Sequence, residues 1–481
     1  MSNYHTIIIG SGSGGITVAV GLAGLGKKVA VVEAAHVGGD CTNVGCVPSK
    51  TLIHAVNHMD LKGEAVLEHV RAKRNHLRDE ETEYVRDLNN VTFIEGRARL
   101  TSTNSVHVDL NAGGETSLQA DNIVLATGAK PFVVPVEGLP ESRTLTNETM
   151  FEQETVPNHL VIVGGGIISI EMAFAFRKLG AQVSVIEMAP RVVGRLEPDV
   201  SEVLTTRLDA LGAKVYCGAK IQRYDDDSET LVLEQQGNTI NLEGVDKVLL
   251  AIGRAPAVNN LGLEEVGVTH DKRGIPTDAY GGTNVKGIYA IGDVNTASAF
   301  THSANAQGRR LVQRLAFPWL PRFSREPIYP SATFSEPEVA MVGGTLTDLQ
   351  KRFPKELIKT VRFDLTKTDK GYTESLEHGF VIIHALRLTG RVVGATIVAP
   401  KASEMISLIT AAIYNNISLY KLSQLVFPYP TLSEGIKKAA DAFVFETLPK
   451  LPQELLTYLR YRWQRPGKKA LQGQTKKVAN A

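Results

Sequence analysis

Two cysteines offer the most chemistry in this sequence. Cys41 and Cys46 stand in the run Cys41-Thr-Asn-Val-Gly45-Cys46-Val-Pro48-Ser-Lys50, and Cys217 is the only other cysteine among 481 residues. Three thiols cannot make the disulfide framework of a small secreted domain. A close pair points instead to redox chemistry or to half of a metal site. A zinc site would need a second Cys pair or a Cys/His cluster to complete it. The sequence offers neither, so no metal is assigned. Inert buried thiols are the remaining, blander reading. Pro48 suits the first turn of a helix, and Thr51–Met59 continues it. Cys46 then lies at a helix N-terminus, where the dipole favours thiolate over thiol. Gly45 supplies the backbone freedom that lets the two sulfurs approach. Cys217, in Ala213-Lys-Val-Tyr-Cys217, reads as a strand cysteine with a structural role.

The elements that must position this pair announce themselves as an internal repeat. The first copy runs from a strand at Thr6–Ile9 through Gly10, Gly12 and Gly15, a helical stretch and Gly26 to the strand Lys28–Glu33. The second runs from His159-Leu-Val-Ile-Val through Gly164, Gly166 and Ser169, a helical stretch and Gly180 to the strand Gln182–Glu187. First glycine to acid is 23 residues in both, from 10 to 33 and from 164 to 187. Strand, glycine turn, helix and strand make the dinucleotide-binding βαβ unit. Its glycines let the backbone approach a pyrophosphate, its helix N-terminus offers free N–H groups, and the acid accepts bonds from a ribose. One such turn alone could be a tight βα connection. Two with matched spacing read as two nucleotide sites. Three further apolar strands close on glycine: Val124-Leu-Ala-Thr127-Gly128, Val248-Leu-Leu-Ala-Ile-Gly253-Arg254 and Ile288-Tyr-Ala-Ile-Gly292-Asp293. An Asp at the C-terminal end of such a strand can hold a ribityl or ribose hydroxyl.

Length and charge bound the rest. A chain of 481 residues exceeds one compact core and calls for about three domains. Net charge of +1 gives no global field for nucleic acid. No signal peptide and no bilayer-length apolar run is visible, which leads to the expectation of a cytoplasmic protein. From about Tyr329 the nucleotide glycines stop, and strands at Val361–Leu365, Phe380–Leu386 and Arg391–Val398 precede helical stretches at Ser403–Tyr414 and Leu432–Thr447. Beyond them, Lys450 to Ala481 holds eight Lys or Arg and one acid, Glu454. Leu455, Leu456, Leu459 and Trp463 can share a helical face there, beside Arg460 and Arg462. Such a segment either docks on an anionic membrane surface or a protein, or packs on the protein's own surface; the second is the simpler expectation.

At the Cys41–Lys50 run the chain resembles the class I flavin disulfide reductases, whose members include dihydrolipoamide dehydrogenase, glutathione reductase and mercuric reductase. Gly292-Asp293 and Phe334-Ser-Glu-Pro-Glu-Val-Ala-Met-Val-Gly343 are similar to that family too, and the likeness runs from Thr6 to about Phe445. The resemblance implies an α/β fold. Two nested Rossmann-like domains would bind FAD (1–150 and 276–325) and NAD(P) (151–275), followed by an α+β dimerisation domain (326–447) and a basic tail (448–481). It implies that Gly10, Gly12, Gly15, Glu33, Lys50, Thr127, Gly128 and Asp293 hold FAD. Gly164, Gly166, Ser169, Glu187 and Gly253 would hold the nicotinamide dinucleotide. Glu171 would sit near flavin and nicotinamide with Lys50 as partner. Cys46 would face the flavin as the charge-transfer thiol, and Cys41 would exchange with substrate across a redox-active disulfide. A homodimer would complete the active site. Glu187 suits a free ribose 2′-hydroxyl and repels a 2′-phosphate, which favours NADH over NADPH; Arg191 nearby softens that preference.

One position departs from the pattern. Members that reduce disulfides carry a C-terminal His followed by Pro, with a Glu five residues after the His. Here the run is Phe427-Pro-Tyr429-Pro-Thr-Leu-Ser-Glu434: the Glu stands and Tyr429 replaces the His. An imidazole titrates near pH 6.5, a phenol near 10, so the phenol is a poor base at pH 7. The Tyr resembles mercuric reductases, but no cysteine follows Cys217 to deliver mercury. The expectation is therefore an FAD enzyme passing electrons from NAD(P)H to Cys41–Cys46 and on to a metal ion, a quinone or another small electrophile. The alternative is a dihydrolipoyl or other disulfide reductase using another base, His54 or His302. A non-catalytic flavin sensor recruited by the basic tail is a third, distant reading.

Overall fold

The computed structural model describes residues 3–295, 300–321 and 327–462. The chain divides into two compact units. One is built from Met1–Gly164, Ala175–Ile186 and Ala219–Glu326, the other from Gly165–Phe174, Glu187–Gly218 and Pro327–Ala481.

In the first unit, strand Asn3–Ile9 is flanked in parallel by Val29–Glu33 and Glu115–Leu125. Parallel strands covered on both faces read as unbroken apolar runs. Thr6–Ile9 and Val29–Val32 do so, and none of these residues is more than 5% exposed. Val91–Ser102 joins Val29–Glu33 in parallel, then returns through Ser105–Leu110 to Glu115–Leu125 as an antiparallel meander. Ile288–Ala290 adds in parallel beside Glu115–Leu125. Helix Ser13–Gly24 packs against helix Thr301–Ala316. A Cβ at Gly308 would stand 3.0 Å from the Gly14 carbonyl oxygen, so the missing side chain lets the two helices close up. A second parallel sheet carries Gln182–Glu187, His159–Val163, Lys247–Leu250 and Thr144–Leu145 in that order. The short strands Ala129–Pro131 and Arg254–Pro256 pair as an antiparallel ribbon.

In the second unit, five antiparallel strands run in the order Ser331–Thr333, Glu338–Gly343, Val392–Ala399, Phe380–Leu386 and Ile358–Asp364. Helices Ala402–Tyr414 and Glu434–Thr447 cover it, with Ile383, Ile397, Ile409 and Phe443 fully buried between. The strands and helices expected here from periodicity all form, each displaced by no more than three residues at its ends.

A polar knot joins two stretches of this second unit that are distant in sequence. Glu197, from the segment after Glu187, lies with its Oε1 3.0 Å from His384 Nε2 and accepts the Leu346 amide at 2.8 Å. The other imidazole nitrogen of His384 is 2.9 Å from Thr360 Oγ1. Burial disfavours the Glu197 charge, but the bonds from His384 and Leu346 outweigh it and hold the carboxyl below its ordinary value of 4.5. A depressed carboxyl stabilises the fold above pH 4.5, and that contribution is lost as pH falls through the lower folded value. Glu197→Ala should cost about 3 kcal/mol at pH 7, because Nε2 of the buried His384 and the half-buried Leu346 amide both lose their partner. Urea unfolding followed at pH 7 and at pH 4 checks this: the gap between variant and wild type should narrow at the lower pH.

Candidate active site and nucleotide cradles

Glycine geometry builds the first cradle. Gly10 has φ +102°, a conformation L side chains rarely adopt, and a Cβ there would meet the Ala126 carbonyl oxygen at 2.4 Å. A Cβ on Gly15 would meet the Gly10 oxygen at 2.1 Å. The turn therefore delivers the chain tightly into helix Ser13–Gly24, whose N-terminus at Gly12 carries no side-chain cap. Glu33 is aimed by its surroundings: its Oε2 accepts the Ser11 amide at 2.7 Å and the Ser11 hydroxyl at 2.8 Å, and its Oε1 accepts the Ala35 amide at 2.8 Å.

The second copy repeats this wiring. Gly164 also has φ +102°, and its Cβ would meet the Ala251 oxygen at 2.6 Å. Glu187 Oε2 accepts the Gly165 amide at 2.5 Å and its Oε1 accepts the Ala189 amide at 2.7 Å. Ser169, at the position of Gly15, is fully buried, and its hydroxyl has no partner among the described residues. Arg191 gives its Nη2 to the carbonyls of Gly194 and Leu196, at 2.8 and 2.9 Å, so it braces its own loop.

The cysteine loop is tied directly to the first turn. Gly38 donates its amide to the Ser11 carbonyl at 3.0 Å, and a Cβ on Gly39 would stand 2.8 Å from Gly12 Cα. Cys41 lies in the short helix Gly39–Asn43, and Cys46 opens helix Cys46–His58. Gly45 between them has no room for a side chain, since a Cβ would meet the Asp40 oxygen at 2.7 Å. Both cysteines are free thiols, Cys41 half-buried and Cys46 exposed, and they hydrogen-bond each other. The bond to Cys46 and burial push the Cys41 thiol far up, while Thr301 works against them. Thr301 Oγ1 lies 3.6 Å from Cys46 Sγ at the start of the helix Thr301–Ala316. A cleft of about 710 Å³ opens beside Cys46, lined by Lys50, Thr51, His54, His69 and Lys73 among others.

Around these, Thr127 gives its hydroxyl to the Ala257 carbonyl at 2.8 Å, and Gly128 and Gly253 take positive φ of +70° and +139°. Asp293 is pushed up by burial, eased by Arg254 and raised further by Asp40. Arg254 contacts Asp40, donates to the Ala129 carbonyl at 2.6 Å and keeps its Nε 3.8 Å from Asp293. In the second unit Glu171 is buried and accepts the Phe334 amide at 2.9 Å. Tyr429 is exposed and donates its hydroxyl to Asp369 Oδ2 at 2.9 Å; that carboxylate raises the phenol above its ordinary 10. Glu434 lies at the start of helix Glu434–Thr447, 3.5 Å from Lys438. Cys217 is half-buried, and burial pushes its thiol up.

Thr301, Arg254, Asp40 and Asp369 carry no role in the sequence reading. Thr301 stands 255 residues from Cys46, a separation no local pattern spans. Arg254 follows Gly253 in a quoted run, and only the ribbon with Ala129–Pro131 reveals its partners.

Comparison with known proteins agrees with this architecture. Residues 4–308 match the pyridine nucleotide-disulphide oxidoreductase family and residues 329–440 its dimerisation domain. The chain belongs to that family. Dihydrolipoyl dehydrogenase 3 of Pseudomonas putida is 32% identical over 462 residues, covering 92% of this chain and 98% of that protein. Dihydrolipoyl dehydrogenase of Thermus scotoductus is 32% identical over 466 residues, covering 92% and 98%. Among solved structures, the Cu(II) complex of the HOCl-induced flavoprotein disulfide reductase of Escherichia coli superposes with a TM-score of 0.83 at 25% identity, covering 92% of this chain and all of that one. The chain is thus a flavin-dependent NAD(P)H oxidoreductase of the disulfide-reductase type, and its dimerisation domain supports a homodimer. The first cradle fits FAD on the structure's own evidence: a helix N-terminus without a side-chain cap, a glycine turn that excludes a Cβ, an aimed Glu33 and a half-buried Asp293.

Proposed function

We propose that this enzyme draws electrons from NADH and passes them, through FAD and the Cys41–Cys46 pair, to an acceptor that needs no imidazole relay, a metal ion or a small electrophile such as a quinone. The carrying observation is Tyr429, whose hydroxyl is committed to Asp369 and whose phenol is pushed above its ordinary value. Bound FAD supplies the two-electron carrier between dinucleotide and thiols. Gly10, Gly12, Gly15, Glu33, Lys50, Thr127, Gly128 and Asp293 hold it in this reading. Cys46 stands at the start of its helix, where N-terminal amides favour negative charge on sulfur. Cys41 keeps its proton at neutral pH because a thiol or thiolate stands beside it in a half-buried loop.

Acceptor chemistry follows. Turning a disulfide acceptor into two thiols requires protons to be handed over at sulfur, which is work for a base near pH 7. A metal ion takes electrons and no proton, and a quinone becomes a hydroquinone by taking two electrons and then two protons at oxygen from water. Two thiols then close to one disulfide, two electrons leave for the metal and two protons go to water. The solved relative described as a Cu(II) complex is a protein of this kind that meets a reducible metal. A dihydrolipoyl reading rests on the relatives' names, and His54, which lines the cleft beside Cys46, is the base it would use. We place the reaction in the cytoplasm, and the cationic segment 448–481 in contact with a membrane or a protein. The test offers NADH-reduced holoenzyme lipoamide, glutathione disulfide, Cu(II), mercuric ion and a quinone in turn. Metal ions or the quinone should outrun both disulfides; faster lipoamide turnover would overturn the reading.

Glu187, Gly164, Gly166, Ser169 and Gly253 form the NADH side, with Glu171 near the nicotinamide. Glu187 is aimed by two backbone amides and Arg191 is engaged elsewhere. A hydrogen bond to a charged group is worth about 1.5–3 kcal/mol. Glu187→Ala should therefore raise KM for NADH roughly 10- to 100-fold and leave KM for NADPH unchanged or lower. Steady-state kinetics with both dinucleotides checks it.

A further inference from the structure

The C-terminal helix Leu451–Arg462 is docked the wrong way round for a helix serving its own core. An amphipathic helix of a globular protein normally buries its leucines and shows its charges. Here the single acid is the buried residue. Glu454 is 4% exposed, and its two carboxylate oxygens each accept Arg387 Nη1 at 2.8 Å. Arg387 is itself braced by Nε donation to the Glu356 carbonyl at 2.7 Å. Thr457, Tyr458 and Tyr461, which share that side of the helix, are half-buried. Leu455, Leu456 and Leu459 turn away from that side and are 45–68% exposed, with the exposed Leu448 and Leu451 at the start of the helix. An arc of three exposed leucines on one short helix is a patch that needs a cover.

Charge decides which cover fits. Glu454 is the only acid from Lys450 to Ala481, and Arg387 already neutralises it. The exposed surface is therefore leucine flanked by Arg460 and Arg462, and the sequence goes on with Arg465, Lys468, Lys469, Lys476 and Lys477. A second copy of this chain meeting the face by two-fold symmetry would bring like charges together. A fold-back of the segment after Arg462 would do the same. An interface with apolar depth and negative charge at its rim satisfies both halves at once, and an anionic lipid surface is that interface. The family's dimerisation domain ends at residue 440, so the helix lies outside the shared machinery.

We infer that helix Leu451–Arg462 is an interfacial anchor that docks the enzyme on an anionic bilayer surface, leucines into the headgroup boundary and arginines on the lipid phosphates. The full-length holoenzyme is sedimented with vesicles of phosphatidylcholine alone and of equimolar phosphatidylcholine and phosphatidylglycerol. Binding is expected only to the second and is expected to fall as salt screens the charges. The variant Leu455→Asp/Leu459→Asp should stay dimeric by light scattering, keep its flavin absorbance, and lose about tenfold or more of its vesicle-bound fraction. Three results would overturn the inference: no binding to anionic vesicles, equal binding by the variant, or dissociation of the variant into monomers, which would make this face a contact between copies. A variant that fails to fold is replaced by truncation after Lys450, read in the same way.

Discussion

Tyr429→His should raise turnover of a disulfide acceptor such as lipoamide by about 10²-fold, the lower end of what a placed general base contributes. The wild-type phenol starts from an ordinary value near 10 and is pushed higher by the Asp369 carboxylate, which accepts its hydrogen bond. At pH 7 fewer than about one phenol in 10³ is ionised. An imidazole at the same position titrates near 6.5 and is present as base and acid together. Glu434 keeps the spacing, five residues on, at which disulfide-reducing members place the Glu that orients their His. The gain should come with a signature that mere repacking would not give: kcat/KM for lipoamide should acquire a pH limb near 6.5, and adding Glu434→Gln should remove much of the gain. NADH-dependent reduction of a metal ion should barely move, because the metal receives no proton and those of the dithiol go to water. Tyr429→Phe should leave lipoamide turnover where it was. If the wild-type enzyme already reduces lipoamide as fast as the His variant, the phenol is not the barrier and another residue is the base.

What the sequence made legible is the part written in local pattern. The two glycine turns and their acids were readable because each glycine answers a backbone constraint within its own βαβ unit, and the amide-to-carboxylate wiring of Glu33 and Glu187 is common to both. The C-terminal strands were readable because Phe380–Leu386 is buried throughout. The long helix Glu64–Asp87 was not, since it presents only Val66, Leu67, Val70, Arg74 and Val85 to the interior and is otherwise charged. Neither was the meander through Ser105–Leu110, whose alternation is short and interrupted. Contacts between distant segments were hidden for a plainer reason. Nothing near His384 signals Glu197, 187 residues away, and nothing near Tyr429 signals Asp369. The C-terminal helix was expected to pack on the protein's own surface. It does so through Glu454 and not through its leucines, because the half-buried Arg387 guanidinium bonds both carboxylate oxygens of the acid. Trp463, expected on the same face, lies outside the described residues.

Removing either active-site thiol should separate cofactor binding from turnover. Cys46→Ala and Cys41→Ala are each expected to keep a full complement of bound FAD, since the proposed cradle of Gly10, Gly12, Glu33 and Asp293 uses neither sulfur. Each should lower NADH-dependent reduction of every acceptor that works through the thiols by at least about 10³-fold, or roughly 4 kcal/mol of barrier at 1.36 kcal/mol per decade. The two variants differ in one further respect. In the wild-type dithiol, Cys46 is the first cause of the high Cys41 pKa, ahead of burial. Deleting Cys46 removes that cause, whereas burial persists. Below a thiol's pKa the thiolate fraction rises tenfold for each unit by which that pKa drops. Iodoacetamide should therefore label Cys41 faster at pH 8 in Cys46→Ala than in the reduced wild-type protein, followed site by site by peptide mass. Equal labelling rates would mean that burial alone holds the Cys41 proton, and the two thiols would then titrate as independent groups.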